Sequence, residues 1–130
     1  MTKKIITSFQ ELGFELKKFR ENVYIFKYKG VNLVYRQYPD DDEFLQVGMP
    51  LEQRDEHTDM IMLANEINMR LKYVKSCVYQ DNLWIMYERR LKEGDDLSEI
   101  IKDIVVCMVD SMDFYLDLTN CSTNIPDDVN

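Results

Sequence analysis

The stretch HTDMIMLANEINMRLKYVKSCVYQDNLWIMYERRL, residues 57–91, decides the fold because its hydrophobic period changes partway along. Apolar residues first recur at about 100° per residue, as in an amphipathic helix, and one stripe contains Met60, Leu63, Ala64, Ile67 and Leu71. β-Rich runs follow at 74–79 and 83–91, and the polar residues 80–82 between them have the spacing and turn chemistry of a hairpin. The stretch predicts a helix followed by two antiparallel strands.

The predicted helix carries a second apolar patch opposite its core stripe. Met62, Met69 and Tyr73 cluster on that side of the helical wheel, where an isolated surface helix would carry charge. Methionine adapts to varied partners, so this patch suits protein binding or self-association. The last helix of the chain is an equally good explanation, since it would cover the same side. The phase of the wheel does not choose between these two interpretations.

The segments before this stretch predict a short helix and several strands. Ile5, Ile6, Phe9 and Leu12 fall on one side of a helix that ends near Gly13. The period then becomes two, and VYIFKYKGVNLVYRQY at 23–38 contains two β-rich runs joined by a turn with a central glycine. PDDDE at 39–43 is typical of a loop, and FLQVGMP at 44–50 predicts another short strand. Several of these runs, and 83–91 as well, carry apolar residues on both faces.

The last part of the chain predicts a long helix and a tail. Acidic residues at 95–96 precede the helix near its positive N-terminal end, and its core stripe contains Leu97, Ile100, Ile101, Ile104, Met108, Met112 and Tyr115. Residues 119–130 lack periodicity, which predicts a disordered tail. The order is helix, three or four strands, helix, two strands, helix. We therefore expect one α+β domain over residues 1–118, with helices packed on an antiparallel sheet.

Composition limits the classes of function. The 130-residue chain has a formal net charge of −8, which opposes binding to nucleic acid and to anionic membranes. No apolar run approaches the roughly 18 residues of a membrane span, and polar residues at 7–8 and 10–11 interrupt the N-terminal apolar stretch before it resembles a signal peptide. These features predict a soluble, cytoplasmic protein.

Motifs for cofactors and metals are missing from the sequence. The three cysteines, Cys77, Cys107 and Cys121, are an odd number without metal-ligand spacing, which disfavours disulfides and a zinc site. The four glycines stand singly, so no glycine-rich phosphate loop is present. We expect no cofactor.

A catalytic interpretation depends on His57, the only histidine of the chain. It would act as a general base together with the carboxylates at 40–43. However, the acidic run lacks the spacing of a calcium loop, and His57 has no second histidine at the metal-binding interval. A nucleophilic pair with Cys77 is also disfavoured, because that cysteine lies in a β-rich run without a helix N-terminus to activate it. A solvated helix start and a solvated turn explain these residues better.

Two segments resemble the YbjN family and the wider type III secretion chaperone-like fold. They are ANEINMRLKYVKSCVYQDNLWIMYERRL at 64–91 and YIFKYKGVNLVYRQYPDDDEFLQV at 24–47, and the resemblance extends over residues 3–118. Its most specific part is the Asn-Glu-Ile-Asn run at 65–68 before the hairpin. The resemblance implies a non-enzymatic and often dimeric domain that binds another polypeptide through apolar patches and strand edges.

Our leading hypothesis from the sequence is therefore a cytoplasmic, non-enzymatic protein-binding module. Its candidate interface contains Met62, Met69 and Tyr73. The hypothesis includes a homodimer that forms through the same helix. One alternative is a regulatory ligand-binding domain with a pocket between the sheet and the last helix. The other is a small hydrolase that uses His57.

Overall fold

The computed structural model describes residues 1–52 and 59–129, with side chains described up to residue 120. The helices are α1 (Thr2–Glu11), α2 (Met60–Arg70) and α3 (Leu97–Val129). The strands are β1 (Lys17–Arg20), β2 (Val23–Tyr28), β3 (Val31–Arg36), β4 (Phe44–Leu51), β5 (Val74–Tyr79) and β6 (Asn82–Arg90). This order confirms the predicted α+β fold.

The strands form one antiparallel sheet in the order β1-β2-β3-β4-β6-β5. Strand β6 lies between two neighbours, as its two apolar faces predicted. The β5–β6 turn is shorter than the predicted three residues, because Tyr79 pairs with Asn82 and only Gln80 and Asp81 remain between the strands. Both turn residues have positive φ, 50° and 64°, and the twist of such a turn matches that of the strands it joins.

All three helices pack on one face of the sheet. The ring centroid of Phe9 in α1 lies 5.0 Å from the ring centroid of Phe26 and 5.3 Å from that of Tyr35. The hydroxyl group of Ser76 in β5 donates a hydrogen bond to the Ala64 carbonyl of α2 at 2.6 Å. Buried side chains of α3 belong to the same core, which includes Leu45, Val47, Met49, Ile67, Leu83, Ile85, Ile101, Ile104 and Met108. The other face of the sheet has no described helix against it.

Helix α2 begins and ends at identifiable residues. The Asp59 side chain caps its first turn by accepting a hydrogen bond from Met62 N at 3.0 Å. The helix ends at Arg70, since Leu71 is extended. Tyr73 then has φ 71° in the connection to β5. Its placement on the helical wheel was therefore wrong, although it remains close to the helix in sequence.

Helix α3 buries most of the predicted stripe, of which Leu97 and Met112 are half-buried, and it begins where the acidic residues indicated. Asp96 Oδ1 accepts a hydrogen bond from Glu99 N at 3.2 Å. At the other end, Thr119 is buried and its hydroxyl donates to the Tyr115 carbonyl at 3.0 Å. Thr119 therefore packs against the rest of the domain, and disorder of the tail over 119–130 stays a prediction. Among the described residues, no helix is long and apolar enough to cross a membrane.

Candidate functional site

The uncovered face of the sheet carries a row of apolar residues. Ile25 of β2 pairs with Val34 of β3, Val34 pairs with Gly48 of β4, and Gly48 pairs with Met86 of β6. Because side chains alternate along a strand, this row points away from the helices that cover the core residues. Its members with side chains are half-buried. The sheet therefore has apolar surface on both faces, but the described helices form a layer on only one.

This row is the floor of a groove of about 740 Å³. We call it the open-face groove, and its lining is Phe19, Arg20, Val23, Ile25, Val34, Arg36, Gln46, Gly48, Pro50, Cys77, Val78, Tyr79, Gln80, Trp84 and Met86. The lining reaches from strand β1 at one edge of the sheet to strand β5 at the other. A groove of this size and composition is in the range of sites that bind ligands or side chains of a partner.

The depth of the groove depends on Gly48. A Cβ atom at this position would lie 3.3 Å from Met86 Cγ and 3.4 Å from Trp84 Cε3. Both side chains therefore lie close over the backbone of β4, where a larger residue would displace them. The φ of Gly48 is not in the left-handed region, so close packing, and not backbone conformation, explains the glycine.

A chain of polar contacts borders the apolar floor. The Tyr38 hydroxyl donates to Gln46 Oε1 at 2.8 Å, and Gln46 Nε2 donates to Glu88 Oε2. The other Glu88 oxygen lies 2.6 Å from Lys75 Nζ, and this hydrogen bond raises the pKa of Lys75. Gln46 is buried, and its amide is already bonded on both sides. The contacts fix this border of the groove and leave it little capacity for new partners.

The charged residues in the lining of the open-face groove are both arginines, Arg20 and Arg36. Neither forms an ion pair within the described parts of the chain. Arg36 lies over the ring of Tyr38, with its guanidinium carbon 6.0 Å from the ring centroid. A chain with a net charge of −8 thus presents positive charge at this surface.

The outer edge of β5 is occupied by a side chain of α2. Asn68 Nδ2 donates to the Ser76 carbonyl at 3.1 Å, and Ser76 N donates to Asn68 Oδ1 at 2.6 Å. An edge strand normally exposes such groups to another chain. Here the side-chain amide pairs with them as a neighbouring strand would. Asn68 belongs to the run that carried the resemblance, but no local sequence pattern indicated this contact.

The predicted interface at α2 and the connection after it is exposed. Met62, Met69 and Tyr73 are 58%, 74% and 80% exposed, so the last helix does not cover them. Ile61 is 75% exposed and extends the same surface. We call these four residues the helix-2 patch. Ile61 was missed because it lies between the core stripe and the patch on the helical wheel.

The structure gives the catalytic hypothesis no further support. His57 lies outside the described residues. In the acidic loop, Glu43 Oε1 lies 3.1 Å from Arg90 Nη2, and Asp42 Oδ2 lies 3.6 Å from the amino group of Met1. Within the described ranges, no three potential ligands among His, Cys, Asp and Glu come together as a metal site. The pocket predicted between the sheet and the last helix also differs from the open-face groove, which lies on the opposite face.

Two cysteines can be placed in the structure. Cys77 lines the open-face groove, whereas Cys107 lies on α3. Burial raises the pKa of the Cys107 thiol, which lowers its reactivity. Both are free thiols. The side chain of Cys121 lies outside the described residues.

Comparison with known proteins identifies the fold alone. No protein-family model and no curated protein matches this chain. A solved structure of an uncharacterized protein from Methanothermobacter thermautotrophicus is similar, with a TM-score of 0.61 and 15% sequence identity. The similarity covers 89% of this chain and 96% of the other. The two chains therefore share their overall architecture.

Proposed function

We propose that this protein is a non-enzymatic, cytoplasmic protein-binding module that holds a segment of another polypeptide in its open-face groove. The observation that carries the proposal is the apolar sheet face without a described helical layer. The groove combines aromatic side chains, a methionine and arginines, residue types that are enriched at protein interfaces. The resemblance to the YbjN and secretion chaperone-like proteins agrees with this class of function.

The groove is a better contact surface than the strand edges. Asn68 already bonds to both backbone groups of Ser76 on β5. At the opposite edge, β1 is four residues long, and its register shifts between Lys18 and Arg20. Short, irregular and positively charged edges discourage pairing with another strand. No described residue obstructs the apolar row over β2, β3, β4 and β6 in a comparable way.

We propose that the helix-2 patch is a second binding surface, through which two copies of the chain form a homodimer. Its four side chains are exposed, and fully burying an exposed Ile or Met side chain contributes up to roughly 3 kcal/mol before the cost of association is subtracted. Light scattering of the wild type and of Met62→Glu/Met69→Glu measures this directly. A dimeric wild type and a monomeric variant are expected. A wild type that is already monomeric removes the dimer from the proposal.

A regulatory ligand-binding domain is the alternative, because a volume of about 740 Å³ also suits a small molecule. Selection of peptides distinguishes the two functions. A displayed library of random 18-residue peptides is selected on the wild type and counter-selected on Val34→Glu, which places a charge in the middle of the groove floor. We expect peptides that the wild type retains and Val34→Glu loses.

A matched control separates the groove from general surface effects. Val106 is also a valine, 49% exposed on α3, and Val106→Glu adds the same charge away from the groove. It should retain the selected peptides. If no peptide distinguishes the wild type from Val34→Glu while both variants remain folded by circular dichroism, the proposed polypeptide-binding function is wrong.

A further inference from the structure

We infer that the segment bound in the open-face groove is an acidic amphipathic α-helix supplied by a different protein. This inference rests on the proposed function and specifies the partner of the same site. Three features of the groove support it: its direction across the strands, the absence of side-chain donors from its floor row and its positive charge.

The direction of the groove favours a helix over an extended segment. The lining runs from Phe19 on β1 to Tyr79 on β5, across all six strands of the sheet. At about 4.8 Å between strands, this distance is roughly 24 Å. The hydrogen-bonding groups of a sheet lie within its plane and bond to neighbouring strands, so they are not directed at a chain that crosses above them.

The floor row over β2, β3, β4 and β6 carries no side-chain N–H or O–H donor for the backbone of an extended segment. Gln46 of β4 borders the floor row, and its amide is already bonded to Tyr38 and Glu88. Unpaired backbone groups cost free energy when they are buried. A helix satisfies its own backbone groups, and about 16 residues at 1.5 Å per residue cover the length of the groove. Its apolar stripe would face Ile25, Val34 and Met86.

The charge of the groove favours acidic residues on that helix. Arg20 and Arg36 line it, and the register adds Lys17 opposite Ile25 and Lys27 opposite Asn32 on the same face. All four are cations without an ion pair among the described residues. Carboxylates at the edge of an apolar stripe would pair with these groups and set the orientation of the bound helix.

The same charges argue against a second copy of this chain in the groove. Two open faces brought together would place these cations against each other, and like charges at an interface are unfavourable. The helix-2 patch of a second copy is the other candidate occupant. In that contact the helix-2 patch of one molecule would dock in the groove of the next, and such head-to-tail contacts generate rings or open chains of molecules.

Peptide probes test the helix and its charge. The first probe is an 18-residue peptide with leucines at helical spacing and glutamates on the flanks of that stripe. The second has lysines in place of the glutamates, and the third carries the composition of the first in a scrambled order. Binding is followed by the fluorescence of Trp84, the only tryptophan, which lines the groove.

We expect the acidic probe to bind at least about tenfold more tightly than the other two, a difference of ~1.4 kcal/mol. Arg20→Glu/Arg36→Glu should remove about the same factor, whereas the control Lys3→Glu/Lys4→Glu on α1 should not change the affinity. Binding should weaken as salt increases, and circular dichroism should show helix formation in the bound probe.

Other results separate failure of this inference from failure of the function. If the library selection retains groove-dependent peptides that are neutral, basic or non-helical, the polypeptide-binding function holds and the acidic helix is wrong. If no peptide depends on the groove, both are wrong. If light scattering of the wild type without any peptide shows large assemblies that both Val34→Glu and Met62→Glu abolish, a second copy occupies the groove and the inference is overturned.

Discussion

Replacing Asn68 with alanine should destabilise the protein by removing the partner of the β5 edge. The Asn68 side chain makes two hydrogen bonds to the backbone of Ser76, at 3.1 and 2.6 Å, and Ser76 is 7% exposed. Each hydrogen bond contributes about 0.5–1.5 kcal/mol net, so the pair contributes about 1–3 kcal/mol. Alanine is also a better helix former than asparagine by a few tenths of a kcal/mol, which offsets part of this loss.

Asn65→Ala is a matched control for that gain in helix propensity. Asn65 is on the same helix, and its side chain makes only a weak contact with Met69 Sδ at 3.6 Å. Urea denaturation followed by Trp84 fluorescence gives the free energy of unfolding of each variant. Asn68→Ala should be less stable than Asn65→Ala by about 1–3 kcal/mol. Equal stabilities would refute the assigned role of Asn68 at the strand edge.

Three further predictions concern the groove and the core. Gly48→Val should displace Trp84 and shift its fluorescence emission, because a Cβ atom at this position would lie 3.3–3.5 Å from Met86 and Trp84. An unchanged emission spectrum would contradict the close packing. Burial raises the pKa of Tyr35 to about 12, so the stability that its neutral hydroxyl group contributes should be complete below pH 10 and be lost as pH rises from 10 to 12. If spectrophotometric titrations of the wild type and of Tyr35→Phe differ near pH 10, Tyr35 ionises at its ordinary pKa and this prediction is wrong. Alkylation followed by mass spectrometry should modify Cys77 faster than Cys107, whose pKa burial raises, and equal rates would contradict that environment.

Hydrophobic periodicity was sufficient to predict most of the fold. The stripes of α2 and α3 and the two-faced pattern of β6 follow directly from local spacing. The turn at 80–81 was misjudged by one residue, because Asn82 suits a turn as well as a strand end. The contact of Asn68 with Ser76 was not predictable, since it depends on how α2 lies over β5 and no local pattern encodes that placement.

The binding surface was predicted only in part. Sequence spacing identified Met62 and Met69, but exposure depends on where α3 packs, so two interpretations remained open. Apolar residues on both faces of the strands were the signal for the open-face groove. Strands with apolar residues on both faces have the same sequence pattern whether or not a second layer covers the sheet. The uncovered face is therefore a property of the tertiary structure.

Protection of Cys77 tests most directly whether the open sheet face binds polypeptide. Alkylation of the wild type is measured by mass spectrometry with and without a saturating concentration of a selected peptide, and Cys107 on α3 is the internal reference. We predict that the bound peptide slows modification of Cys77 at least about tenfold, a factor equivalent to ~1.4 kcal/mol, and leaves the rate at Cys107 unchanged. An unchanged rate at Cys77 in the presence of tightly bound peptide would contradict the proposal.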